Sequence, residues 1–271
     1  MTAELTQLAR LLRNTAAAAL LPNWHGSAAA RHKSDGSLVT ASDLAAQRHL
    51  IQALARDFPG IPLLGEEMTS SEQEDMLQNG DSALWVLDPL DGTSNYVAGF
   101  PFFSISLALI EGGRTVLGVI LDPVRDECFV AAQGQGAWLN DQPIRPFAPS
   151  RALHDCLAVV DLKRLPAERF QPIVRHACFG SQRNLGSVAL EWCWLAAGRF
   201  QLYLHGGQRL WDYAAGRLIA DEAGAAVMHL IPDSLQPSPR ISLEPRLAIA
   251  AADSGLLRAW CDCLGLAVAV D

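Results

Sequence analysis

The sequence lacks any long apolar run. Its longest, such as Ala16 to Leu21 and Ile105 to Ile110, fall well short of the roughly 20 residues that a membrane-spanning helix needs. No membrane association is expected. The opening Met1-Thr2-Ala3-Glu4 lacks the basic start of a secretory signal. Six cysteines are present, but none lies in a CxxC or a Cys/His zinc spacing; Cys261-Asp262-Cys263 is CxC on an expected terminal helix. These absences predict a cytoplasmic protein with reduced, mostly buried thiols. Positive charge is also scarce. There are 21 Lys and Arg against 29 Asp and Glu, a net charge of -8, which argues against a nucleic-acid partner. A phosphate ligand would be repelled by such a chain unless a cation inverted the local field. Internal repeats and low-complexity tracts are missing too.

What is present suits a globular protein. Half of the 271 residues are hydrophobic and 18% are charged, enough for one large domain or two modest ones. Pro143, Pro146 and Pro149 mark the best boundary, dividing an N-terminal half (1–145) from a C-terminal half (146–271). Leu5, Leu8, Leu11 and Leu12 recur at helical spacing, and Pro22-Asn23 ends that helix. Residues 26–37 are rich in Gly, Ser, His and Lys and read as a mobile loop. A second helix carries Leu44, Leu50, Ile51 and Leu54 and stops before Phe58-Pro59-Gly60. Ile61 to Leu64 is a short strand. Residues 69–81 form a polar loop or a short surface helix. Phe103 to Ile110, Thr115 to Leu121 and Glu127 to Ala132 form an antiparallel meander. Beyond it, strands at 157–160, 200–204, 225–230 and 247–252 alternate with helices at 166–177, 187–197, 211–223 and 256–264. Such alternation predicts a mixed sheet covered by helices.

The chemistry gathers at Trp85-Val86-Leu87-Asp88-Pro89-Leu90-Asp91-Gly92-Thr93-Ser94-Asn95-Tyr96. An apolar strand delivers two carboxylates, and Pro89 ends its regular pairing. Buried carboxylates are costly unless a cation or several donors compensate them. Mg²⁺ takes oxygen ligands, which Asp88, Asp91 and the Leu90 carbonyl can provide. Glu66 adds a carboxylate from a neighbouring strand end; adjacent side chains diverge, so only one of Glu66 and Glu67 would bind directly. The N–H groups of Gly92 and Thr93 open a helix and suit phosphate. Thr93 can hold a water for in-line attack, with Asp43 taking its proton. Each acid also has a plainer reading. Asp43 completes a capping box with Thr40. Asp212 complements a helix dipole behind Trp211. Glu66-Glu67 suits an exposed turn.

Three motifs, in order, closely resemble the inositol monophosphatase family, the lithium-sensitive, magnesium-dependent phosphomonoesterases. They are Gly65-Glu66-Glu67, Asp88-Pro89-Leu90-Asp91-Gly92-Thr93-Ser94-Asn95-Tyr96, and Trp211-Asp212-Tyr213-Ala214-Ala215-Gly216 followed by Glu222-Ala223-Gly224. The resemblance runs from the first helix to about residue 252. It implies a mixed α/β (α+β) fold, a layered α-β-α-β-α sandwich with an antiparallel N-terminal sheet and a mixed C-terminal sheet, usually in a homodimer. It implies Glu66, Asp88, the Leu90 carbonyl, Asp91 and Asp212 as ligands of two or three Mg²⁺ ions. Thr93 and Asp43 match the pair that orients water, Lys33 the lysine of the N-terminal loop, and Glu67 an acid behind the metal ligands. Gly186, Ser187, Val188 and Asp91 match contacts to the substrate alcohol. The implied substrate is a small phosphate ester, inositol 1-phosphate first. Fructose 1,6-bisphosphate, histidinol phosphate and 3'-phosphoadenosine 5'-phosphate stay open, as does a non-catalytic regulatory role.

Three departures stand out. The stretch from Lys33 to Asp43 is one residue shorter than in animal members. Ala225 replaces a usual glycine. His205 stands where animal members hold inositol hydroxyls with a glutamate. Read as functional, with Arg183 and Arg209 close by, it implies a substrate of different polarity, carrying a second phosphate or a carboxylate. Read plainly, it is a surface residue after a strand.

Overall fold

Leu5, Leu8 and Leu12 form the buried stripe of the first helix, α1 (Ala3–Thr15). The computed structural model of the chain describes residues 2–24, 30–33, 38–79, 83–165, 178–238 and 240–266. The helix runs on through a wide π turn (Ala16–Leu20) and a tight 3-10 turn (Leu21–Asn23). Instead of an unbroken loop over 26–37, β1 (Ala30–His32) pairs antiparallel with β2 (Leu38–Thr40). These strands are only three residues long, too short for an alternation to show. The rest of that loop, 25–29 and 34–37, lies outside the described residues. The Thr40/Asp43 capping box opens α2 (Ala41–Asp57).

A seven-stranded sheet follows. Its strands are β3 (Leu63–Gly65), β4 (Ala83–Asp91), β5 (Ser104–Glu111), β6 (Arg114–Asp122), β7 (Glu127–Ala132), β8 (Ala137–Leu139) and β9 (Gln142–Pro143), in that spatial order. Every pairing is antiparallel except β3 with β4. The acidic stretch before β4 is a helix, α3 (Ser70–Asn79). Just after β4 comes one short helix, α4 (Thr93–Ala98).

The C-terminal half builds a five-stranded mixed sheet. It contains β10 (Leu157–Asp161), β11 (Ser181–Arg183), β12 (Leu202–Gln208), β13 (Ala226–Leu230) and β14 (Arg246–Ala251), in the order β11-β10-β12-β14-β13. The first three run parallel and the last pairings are antiparallel. Its helices are α5 (Val188–Ala196), α6 (Leu210–Ala223) and α7 (Ser254–Cys263). The helix expected at 166–177 lies outside the described residues. Strand β12 runs further than expected. It carries His205 inside it, paired with Asp161 and Ala248, before a bulge at Gly206-Gly207. Two glycines weaken a strand pattern, which is why the pattern seemed to stop early.

Alternation along the strands sets the layers. Trp85 and Leu87 of β4 face α1 and α2, whereas Leu84 and Val86 face α5 and α6. On the far side of the second sheet, Leu202, Leu204 and Ile249 meet α7. The result is the expected α-β-α-β-α sandwich, and its middle layer, α5 and α6, packs against both sheets. Trp85, Trp192 and Trp260 each anchor one of the three cores, at 1% exposure or less. Each ring contributes up to about 5 kcal/mol before entropy is counted.

One expectation about cysteine is corrected. Cys178 is disulfide-bonded to Cys263, while Cys128, Cys156, Cys193 and Cys261 are free and buried. The bonded pair lies 85 residues apart in sequence. Only the fold brings the entry to β11 against the end of α7. Among the described residues no helix is long and apolar enough to cross a membrane.

Candidate active site

Pairing between β4 and β5 shifts register between Asp88 and Asp91, around Pro89, which has no N–H to offer the ladder. Leu84 and Val86 of β4 face α6, and Asp88, the next residue on that side before the register shift, emerges toward the start of that helix, where Asp212 stands. Carboxylate oxygens of Asp88, Asp91 and Asp212 all lie within 4.8 Å of one another. Each is tied down by the protein. The Leu90 N–H donates to Asp88 Oδ1 (2.9 Å). Asp91 Oδ2 accepts from the Ser187 hydroxyl and from Ala189 N (2.8 Å). Asp212 Oδ2 accepts from Arg209 N (2.8 Å).

Burial pushes all three carboxyls up, and repulsion from Glu66, joined at Asp88 and Asp212 by the neighbouring aspartates, adds to it: Asp88 and Asp212 rise well above the usual range and Asp91, held back by its donors, to about 6. A cluster that cannot comfortably carry its own charge, made only of hard oxygen donors, fits a hard divalent cation such as Mg²⁺.

Glu66, an expected ligand, lines the same cavity but stands outside that trio. Its carboxylate accepts from Lys33 Nζ (2.8 Å), which also donates to Glu67 (2.7 Å). Burial pulls Lys33 down, but the two glutamates more than reverse this. One ammonium cannot neutralise both, and burial pushes Glu67 up to about 7.

Gly92 follows Asp91 with φ +88° and begins α4. A Cβ there would come within 3.2 Å of the carbonyls of Phe102 and Gly186, so glycine alone makes this turn. The turn carries Thr93 back over the cavity. Its hydroxyl lies 3.1 Å from Asp43 Oδ1 and 3.0 Å from the Leu90 carbonyl. Asp43 is both cap and partner: its Oδ2 takes the Thr40 N–H (2.8 Å). Burial raises its carboxyl above the ordinary range.

The residues expected near the substrate alcohol divide. Gly186 and Val188 line the cavity. Ser187 is fully buried, with its hydroxyl spent on Asp91. His205 is 2% exposed and not a surface residue. Its Nδ1 accepts the Gly207 N–H (3.3 Å), which leaves Nε2 to donate to Asp161 Oδ2 (3.2 Å). Burial lowers the His205 pKa despite that aspartate. Of the two arginines expected nearby, Arg209 lines the cavity, whereas Arg183 bonds Ser181 and the Gln182 carbonyl. The arginine beside His205 is Arg164, which also pairs with Asp161.

Asp161, Lys163, Arg164 and Glu191 also line this cavity of about 750 Å³, and the sequence reading missed them. A signal existed for two of them. Asp161 ends an apolar strand as Asp91 does, and Glu191 interrupts the otherwise apolar run of α5. Glu191 accepts from Leu185 N, Gly186 N and the Tyr203 hydroxyl, which holds the loop entering α5.

This geometry has counterparts. A Nus factor SuhB from Pasteurella multocida is 35% identical over 211 residues, 72% of this chain and 73% of that protein. A Thermotoga maritima IMPase superposes with a TM-score of 0.81 at 27% identity, over 97% of each chain. The structure of SaIMPase-II bound to inositol monophosphate matches with a TM-score of 0.74 at 26% identity, covering 95% of this chain and 92% of that one. The model of the inositol monophosphatase family matches residues 1–263, and the chain belongs to that family.

Proposed function

We propose that the chain is a Mg²⁺-dependent phosphomonoesterase acting on a small phosphate ester, with inositol 1-phosphate the first to test. The carrying observation is that the Asp88/Asp91/Asp212 cluster shares one cavity with Thr93, whose hydroxyl is bonded to Asp43 behind it. In this reading Asp88, Asp91, Asp212, Glu66 and the Leu90 carbonyl hold two or three ions. When bound, Mg²⁺ supplies Lewis acidity toward the phosphoryl oxygens and eases the deprotonation of water. The Gly92 and Thr93 N–H groups hold the phosphate oxygens. The Thr93 hydroxyl, oriented by Asp43, positions the attacking water, and Asp43 takes its proton. Lys33 offsets the charge of Glu66 and Glu67. With water positioned in this way the reading is direct hydrolysis, without a covalent phosphoenzyme, and the four free cysteines are buried.

The test is phosphate release from a panel of about ten metabolite esters, with Mg²⁺ and with EDTA. Release that needs Mg²⁺ supports the reading; no release from any ester with Mg²⁺ sinks it. A second reading, a regulatory protein on the same fold, is favoured by the relative named a Nus factor. Retention of the whole acidic constellation weighs against it. A homodimer and a cytoplasmic location complete the proposal, with the dimer measurable by light scattering.

A further inference from the structure

Three cations stand on the cavity wall beside Asp161 and Asp212, two after β10 and one just before α6. They are Lys163, Arg164 and Arg209, in a protein of net charge -8. Lys163 and Arg164 lie on a single 3-10 turn (Leu162–Arg164) that follows β10. Asp161 holds this turn with both oxygens: Oδ1 accepts the Lys163 N–H (2.9 Å), and Oδ2 accepts from Arg164 Nη1 and from His205. Burial pushes the Asp161 carboxyl up, but His205 and Arg164 reverse this and hold it below the usual range.

The turn is seated on β12 at Gly206. A Cβ there would collide with the Arg164 carbonyl and come within 2.8 Å of Leu165 N, so no other residue lets the turn sit so close. His205 is a strut in this assembly, because both its nitrogens are taken by protein groups. The groups left for a ligand are cationic. The Arg164 side chain is 54% exposed, and its Nε and Nη2 have no acceptor among the described residues. Lys163 forms no ion pair among the described residues.

We propose that Arg164 and Lys163 form a second anion subsite, and that the preferred substrate is a small phosphate monoester bearing a further phosphate or carboxylate. This rests on the phosphatase reading above and narrows it. A neutral polyol would face two cations without matching them. A second anion gains charge-assisted bonds, and a guanidinium fork suits phosphate and carboxylate alike.

The experiment compares kcat/KM with Mg²⁺ for inositol 1-phosphate, fructose 1,6-bisphosphate and 3-phosphoglycerate, in the full chain and in its Arg164→Gln, Arg164→Lys and Lys163→Gln variants. The anionic esters, or one of them, should exceed inositol 1-phosphate by about tenfold or more. Preference for the bisphosphate alone identifies phosphate as the second group, and preference for the phosphoglycerate alone identifies carboxylate. Arg164→Gln and Lys163→Gln should each cut that ratio several-fold, mainly through KM, with Arg164→Lys retaining part of it. Lys163 is exposed, so its variant reports even if loss of Arg164 disturbs folding. A ratio that favours inositol 1-phosphate, or that neither Gln variant moves, overturns the subsite while leaving the phosphatase reading intact. No hydrolysis of any ester overturns the phosphatase reading, and the subsite with it.

Discussion

Thr93 Oγ lies 3.1 Å from Asp43 Oδ1, joining two residues fifty positions apart. The other carboxylate oxygen takes the backbone N–H that opens α2. One side chain therefore caps a helix and aims a hydroxyl. Thr93→Val keeps the shape and removes only the hydroxyl. Phosphate release should fall by about 100-fold or more with little change in melting temperature. Asp43→Asn should lose as much activity and also about 1 kcal/mol of stability from the weakened cap. Steady-state assays paired with thermal denaturation check both. Full activity in Thr93→Val would remove Thr93 from the reaction.

Asp88, Asp91 and Asp212 repel one another when no cation is near. Asp212→Asn removes one charge from that buried cluster. In EDTA the variant should melt higher than the parent, because a like-charge contact has gone. In Mg²⁺ the order should narrow or invert, because the parent gains more from the cation: about 2.7 kcal/mol at a hundredfold excess over Kd. Melting curves with and without Mg²⁺ measure this. Equal Mg²⁺ shifts in the two proteins would argue that Asp212 holds no metal.

Glu191 supplies a pH signature of its own within the cavity, where Asp91 adds to the effect of burial. Burial pushes its carboxyl up to about 7, above the ordinary 4.5, despite three donors. The folded state thus binds this proton more tightly than the unfolded state. The associated stability is present below about pH 4.5 and is lost as pH rises to about 7. Between pH 5 and pH 8 the parent should lose about 2 kcal/mol relative to Glu191→Gln. Urea denaturation in EDTA at both pH values tests the difference. A constant gap between the two proteins would mean that Glu191 is ionised throughout.

The acidic centre was legible because it is written in local pattern. A continuous apolar run marks β4 as buried on both faces, and Asp88-Pro89-Leu90-Asp91-Gly92 breaks its regular pairing and turns the chain. The Thr40/Asp43 box announced α2. The hairpin of β1 and β2 was not legible, since three-residue strands are too short to show a period. Nor was the Cys178–Cys263 bond, whose partners meet only across the folded C-terminal half.

His205 shows the division most clearly. Its position marked a change in the substrate end of the site, and that much is visible in sequence. The polarity of the change depends on what the ring touches. Asp161 and Gly207 occupy its nitrogens, and the turn seated on Gly206 places Arg164 at the cavity instead. Sequence alone determined the family and the acidic cluster through short motifs, and the meander and the alternation through strand and helix period; the sandwich followed from the resemblance those motifs carry. Only the tertiary structure decided which cations face the cavity, because a turn and a strand bulge far apart in the chain had to meet through an aspartate before their charges could be counted together.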